Sequence, residues 1–220
     1  MFAHQEIATT PLFLLFVSFS CLLSVFFYWG RRRNRKIFLS AFSDLVNIVR
    51  PDDQTFTNIG GMVGHHATLQ IEDMKKPFSQ VEATITLLPR HSLLYLPVSL
   101  TIMRFDRLFI TLHQRHHLSG EGHLIEKRYA GFRGPKITNA HQMEKIEIRW
   151  GSYDFLLYFE KAPLRDRFMS YVRKNPDPGT IRHIAFVAGQ KKCFIFMIPR
   201  LESVRDNLKP VYRWLCEVSR

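Results

Sequence analysis

The sequence predicts an α+β domain, its mixed or antiparallel sheet covered by helices, preceded by one N-terminal transmembrane helix. Three observations predict it. No charged residue occurs between Ile7 and Gly30. Beyond Gly30, segments that alternate apolar and polar residues recur along the chain and read as half-buried strands. Among them lie stretches with apolar residues three and four apart, which read as amphipathic helices, and the order of the two kinds suits a sheet covered on one face.

The apolar run Pro11 to Gly30, PLFLLFVSFSCLLSVFFYWG, rises about 30 Å as a helix, which is one bilayer crossing. Tyr28 and Trp29 stand where an interfacial aromatic belt belongs, and Arg31, Arg32, Arg33, Arg35 and Lys36 follow at once. Together they are the expected membrane-interface anchors, and the positive-inside rule puts that end in the cytoplasm. Residues 1–10 are then a short extracytoplasmic N-terminus, 11–30 the transmembrane helix, 31–50 a basic juxtamembrane helix and 51–220 a cytoplasmic domain. A cleaved signal peptide fits less well, since the first ten residues hold no Lys or Arg and no A-x-A site precedes the basic cluster. Ser18, Ser20 and Ser24 are spaced for close helix contact, but bonding to their own backbone is the simpler expectation.

The charge is as informative as the anchor. All 31 Lys and Arg residues lie after Gly30, against 18 of the 19 acids, so the part beyond the anchor carries +13. That balance suits rRNA phosphates or anionic lipid head groups, or simply a solvated surface. Aromatics make up 13% of the chain, enough to build a core and exclude disorder. Cys21, Cys193 and Cys216 give no disulfide framework and no CxxC pair, as expected of an intracellular domain.

In residues 31–50, Phe38, Phe42, Leu45, Val46 and Val49 share one helical face, and Pro51 ends the helix. Two strands follow around Gly60 and Gly61, then a strand with Val81, Ala83, Ile85 and Leu87 on one face. PRHSLLYLPVSLTIM reads as a helix broken at Pro97, and Leu108, Ile110 and Leu112 mark the next strand. Arg115 to Lys136, with four glycines, reads as a long exposed hairpin or loop. A hairpin at Gly151 and Ser152, a helix from about Pro163 to Arg173 and two more strands come next. The last helix presents Leu201, Val204, Leu208, Val211, Tyr212 and Leu215 on one face, with Pro210 expected to kink it.

Chemistry is hard to find. His113, His116 and His117, with His123 beyond, hold two or three imidazoles near one another but lack the HExxH glutamate and any nearby cysteine. They read as exposed histidines, and no metal site is expected. His65 and His66 point to opposite faces of a strand. No GxSxG, GxGxxG, P-loop or Cys-His pairing is present, so no catalytic residue and no cofactor is expected, and the chain reads as a non-enzymatic binding protein. The residues expected to touch a polyanion, rRNA or phospholipid, are Arg115, Lys127, Arg128, Arg133, Lys136, Lys191 and Lys192; solvated loop charge is the alternative.

VEATITLLPRHSLLYLPVSLTIMRFDRLFITLHQ resembles the core of the calumin family, the large subunit of the PAT complex of the multipass translocon. Ala83, Thr84, Arg90, His91, Leu93 and Asp106 carry the match. YDFLLYFEKAPLRDRF and CFIFMIPRLESVRDNLKPVYRWLCEV are similar to elements that follow in that family, so the resemblance covers most of residues 11 to 218. Two family features, an acidic lumenal region and a long basic C-terminal coiled coil, find no counterpart here, so calcium binding is not carried over. The resemblance implies a minimal relative, prokaryotic or archaeal in kind and then in the cell membrane, or in the endoplasmic reticulum membrane if eukaryotic. It also implies the partners: ribosome, SecY-type channel, a small membrane-protein partner, membrane lipids and nascent multipass membrane proteins.

The expected function is therefore assistance to the insertion or folding of multipass membrane proteins. Two other classes compete with it. A membrane-tethered enzyme or sensor acting on lipid or nucleotide requires a deep pocket with convergent polar groups. An anionic-lipid-binding scaffold requires its positive charge to cluster near the membrane.

Overall fold

The computed structural model of the chain describes residues 10–116, 120–131 and 134–219. Its first element is one unbroken helix, α1 (Pro11–Val49), so the expected transmembrane and juxtamembrane helices are a single rod of 39 residues. At 1.5 Å per residue it is about 58 Å long. Its most apolar 18 residues have a mean hydropathy of 2.2 and none of them is buried, so α1 is long and apolar enough to cross a membrane. The Ser20 and Ser24 hydroxyls donate to the carbonyls four residues earlier, both at 2.9 Å, which is the backbone-satisfied state expected of them. From Gly30 onward one face is packed: Gly30, Asn34, Ile37, Ala41, Phe42, Leu45 and Val49 are buried at helical spacing. Arg50 ends the helix in the left-handed region, φ 50°, just before Pro51.

The strands are β1 (Asp53–Asn58), β2 (Gly64–Gln70), β3 (Phe78–Thr86), β4 (Arg107–Gln114), β5 (Gly122–Glu126), β6 (Glu144–Trp150), β7 (Tyr153–Phe159), β8 (Ile181–Val187) and β9 (Lys192–Met197). Among the described residues they form one sheet, in the order β1-β2-β3-β4-β9-β8-β5-β7-β6, and each neighbouring pair is antiparallel. The helices after α1 are α2 (Leu96–Ile102), α3 (Lys127–Gly131), α4 (Ala162–Lys174) and α5 (Val204–Val218). Pro97 sits in the first turn of α2, where a missing N–H costs nothing, and α5 runs through Pro210 as one helix.

One sheet face carries the core. Val81, Ala83 and Ile85 of β3 and Leu108, Ile110 and Leu112 of β4 are almost fully buried there, as their alternation predicts. The far half of α1, α4 and α5 cover this face; α5 contributes Val204, Leu208, Val211 and Leu215, and Phe168 of α4 meets Phe186 edge-on and Trp214 at a tilt. Leu201 does not join that face, because it lies before α5 starts and is exposed. The opposite sheet face is aromatic at its centre: Phe109 lies 4.9 Å from Phe196, and Tyr129 of α3 caps Phe196 at 4.5 Å.

The largest departure from expectation is Arg115 to Lys136. Instead of an exposed hairpin or loop it supplies α3 and the interior strand β5, all five of whose residues are buried. β5 is hydrogen-bonded to β8 on one side and β7 on the other. A strand buried on both faces has no polar side to alternate with, so its short apolar run, Leu124 and Ile125, is hidden among glycines and charges. His123 belongs to β5 and is buried as well, contrary to the reading of this region's histidines as exposed; His117 and Arg133 lie outside the described residues.

A polar rivet joins α1 to the sheet. Arg90 donates from Nη1 and Nη2 to the two oxygens of Asp106 at 2.9 and 2.7 Å, and Asp106 Oδ1 also accepts from the Leu88 N–H at 2.8 Å. Arg90 Nη1 reaches Asn34 Oδ1 at 3.0 Å, while Asn34 Nδ2 donates to the Leu88 and Met62 carbonyls. Gly30 makes the approach possible: a Cβ there would lie 2.1 Å from the Arg90 carbonyl oxygen. The rod is thus fixed to the β1–β2 turn and to the β3–β4 connection at the level where its apolar segment ends.

Candidate polyanion-binding site

The end of α1 opposite its apolar segment lines a cleft of about 500 Å³ with the β2–β3 turn and α5. Six cations line it, Arg50, Lys75, Lys76, Arg205, Lys209 and Arg213, against one carboxylate, Asp73. Local sequence explains each. Arg205, Lys209 and Arg213 recur every four residues and so form a stripe along α5 beside its buried face. Asp73 shapes the β2–β3 turn, its Oδ1 accepting the Lys75 N–H at 3.0 Å and its carbonyl the Lys76 N–H at 3.1 Å. Lys76 Nζ then donates to the Val49 and Arg50 carbonyls at 3.2 and 2.8 Å, a favourable place for a cation at a helix C-terminus.

The remaining five cations have no carboxylate within ion-pairing distance among the described residues. They are exposed and mutually repelling, which raises the local affinity for an anion. Tyr212 forms part of the wall, its ring tilted against Phe78 at 6.0 Å, and burial pushes its phenol pKa up so that it stays neutral. Arg50 lies twenty residues beyond Gly30, which places the cleft about 30 Å along the rod from the end of the apolar segment.

The residues singled out from sequence divide between the two ends of the sheet. Arg115, Lys191 and Lys192 lie at the cleft end: the Arg115 N–H bonds the carbonyl of Pro77, Gln114 N–H bonds that of Lys191, and Lys192 pairs with His113. Arg115 is half-buried and its guanidinium also donates to the Ile71 carbonyl, so it braces the turn that carries Lys75 and Lys76. Lys127 and Arg128 follow the opposite end of β5; Lys127 is held by Glu147 at 2.6 Å, which raises its pKa, and Lys136 is exposed in the connection to β6. Tyr28 and Trp29 are exposed, Arg33 lies over the Trp29 ring at 5.4 Å, and Arg31, Arg32, Arg35 and Lys36 are exposed around the rod. Sequence reading missed Arg50, Lys75, Lys76 and the α5 stripe, although the four-residue recurrence of Arg205, Lys209 and Arg213 was there to be read.

A second polar cluster sits on the other sheet face. His123 Nδ1 is 3.3 Å from His183 Nε2, and His123 Nε2 is 3.0 Å from Glu121 Oε1. Burial lowers both imidazole pKa values, that of His183 to about 3, while Glu121 partly offsets the shift at His123. Both rings are therefore neutral at pH 7. Among the described residues no three His, Cys, Asp or Glu side chains are grouped to hold a metal ion.

No protein-family model matches the chain, and no curated protein matches it. Among solved structures it is similar to the crystal structure of the mycobacterial trehalose monomycolate transport factor A, TtfA. The identity is 13% and the TM-score 0.41, over 86% of this chain and 94% of that one.

Proposed function

We propose that this is a non-enzymatic, single-pass membrane protein whose cytoplasmic domain assists the insertion or folding of multipass membrane proteins, holding a ribosome near the membrane through rRNA phosphates. The observation that carries this reading is the basic cleft at the far end of the rod. At physiological ionic strength the Debye length is about 8 Å, so a site about 30 Å out lies beyond the field of the lipid head groups. Its natural ligand is a polyanion that approaches from solution, and a phosphate backbone fits a cluster of unpaired Lys and Arg. The rivet at Asn34, Arg90 and Asp106 supports the same reading, because it holds the cleft at a fixed height. The role and the SecY-type channel as a neighbour are those implied by the resemblance to the calumin family.

The test is cosedimentation of the detergent-solubilised chain with ribosomes at moderate salt, with Lys75→Glu, Lys209→Glu and Arg213→Glu combined. These side chains are exposed, so the substitutions leave the core packing untouched. Loss of cosedimentation is expected; unchanged binding would sink the proposal.

One observation favours the second class, a membrane-tethered enzyme or sensor acting on lipid or nucleotide, with lipid as the ligand. Phe38, Leu39, Phe42 and Phe56, with polar Gln54 and His65 among others, line an open groove of about 510 Å³ between α1 and the β1–β2 edge, within the size range of small-molecule sites. Co-purification of a stoichiometric lipid, with no ribosome retained, would favour that reading.

A further inference from the structure

The connection between β3 and β4 carries apolar residues that no other described residue covers. Leu94, Tyr95, Val98, Leu100 and Ile102 are between 44% and 71% exposed, and from Ser92 to Met103 no residue is charged. On a soluble surface such a patch is a liability. Its position supplies the reason for it. Gly30 abuts the Arg90 and His91 backbone, His91 stacks edge-on against Phe27 at 6.0 Å, and Leu93 and Leu94 share a shallow groove with Leu23, Ser24, Phe27 and Tyr28 of α1. Leu23 is seven residues before Gly30, so the tip of the connection reaches about 10 Å back along the apolar part of the rod.

We infer that residues 92–103 are a second membrane contact, a turn and short helix inserted at the boundary of head groups and acyl chains of the leaflet in which α1 ends. The occupant of the exposed face is lipid, because the patch is continuous with the surface of α1 that is itself apolar and uncovered. The depth matches the ~5–10 Å at which interfacial helices bury their apolar sides. The backbone is suited to it as well: the N–H groups of Leu96, Ser99 and Met103 bond the carbonyls of Ser92, Tyr95 and Ser99, and the Thr101 hydroxyl bonds the Val98 carbonyl at 2.7 Å. Polar groups satisfied within the segment can leave water. Exposed Arg104 stands at one flank, and Arg31, Arg32, Arg33 and Arg35 surround the rod at the level where anionic head groups lie. The inference rests on α1 crossing a bilayer, and it is independent of what the basic cleft binds. With two contacts instead of one, the domain is held in orientation as well as in height.

The experiment places an environment-sensitive nitrobenzoxadiazole label on Leu94→Cys in the full chain, with Cys21→Ser and Cys216→Ser. Cys193 is fully buried and stays unlabelled. The protein is reconstituted in phosphatidylcholine–phosphatidylglycerol nanodiscs, and a label on Lys136→Cys serves as the aqueous control. The expected result is blue-shifted emission at position 94, lost when the lipids carry a shallow nitroxide and insensitive to iodide in the buffer, with the opposite behaviour at position 136. Emission at the aqueous wavelength with strong iodide quenching would overturn the inference. A blue shift unaffected by nitroxide lipids would overturn it too, since it would mean that protein covers the patch. A second variant, Val98→Glu with Leu100→Glu, is expected to move the position-94 label into water while ribosome cosedimentation is retained.

Discussion

Removing the Asp106 carboxylate tests whether the Asn34–Arg90–Asp106 rivet holds the rod to the sheet. The Arg90 side chain is 14% exposed and that of Asp106 6%, so Asp106→Ala leaves a nearly buried guanidinium without its partner. Breaking one side of such a pair costs about 3–5 kcal/mol. The orphaned Leu88 N–H adds about 1–3 kcal/mol of unmet hydrogen bonding. Replacing both partners by apolar residues, Arg90→Met with Asp106→Leu, removes the buried charge together with its partner. The double variant should therefore be more stable than Asp106→Leu alone, and the summed losses of Arg90→Met and Asp106→Leu should exceed that of the double by about 2 kcal/mol or more. Urea unfolding in mild detergent, followed through buried Trp150 and half-buried Trp214, measures all of these. If Asp106→Ala costs less than about 1 kcal/mol, or the single losses simply add, the rivet does not hold the rod.

Gly30→Ala gains up to about 1 kcal/mol of helix propensity. Its methyl group, however, overlaps the Arg90 and His91 backbone, at a typical cost of about 1–3 kcal/mol or more, so a lowered melting temperature is expected and a raised one would contradict the close packing. Stability should also depend on pH through His183. Its folded pKa, about 3, lies below that of the unfolded chain, so the unfolded state takes up the proton first as pH falls. Full stability is therefore present above pH ~6.5, and about 2 kcal/mol should be lost between pH 6.5 and 5, with His123 acting in the same direction. Denaturant midpoints compared with His183→Asn check this; the variant should show the shallower dependence.

Much of this architecture was legible because alternation and helical periodicity are strong signals where one face is wet. Val81, Ala83 and Ile85, Leu108 to Leu112, and the buried stripe of α5 all obeyed them. Two kinds of feature escaped. β5 is buried on both faces, so its His123-Leu124-Ile125 run carries no period, and its charged neighbours Lys127 and Arg128 made the whole segment look like a loop. The basic cleft draws on residues more than 150 positions apart, Arg50 and Arg205 among them, which only packing of α5 beside α1 brings together. Composition announced the charge but not where it gathers. The apolar Leu93 to Ile102 stretch was likewise visible as sequence, while its place beside Phe27 was not.

The most direct test of the central claim is the salt dependence of ribosome binding. Five unpaired cations engaging five phosphates give a slope of log K against log salt of about −3.5 to −4.5. With Lys75, Lys209 and Arg213 changed to Glu, the slope should fall in magnitude by about 2 or more alongside the loss of affinity. An identical slope in the two proteins would show that the cleft does not carry the contact.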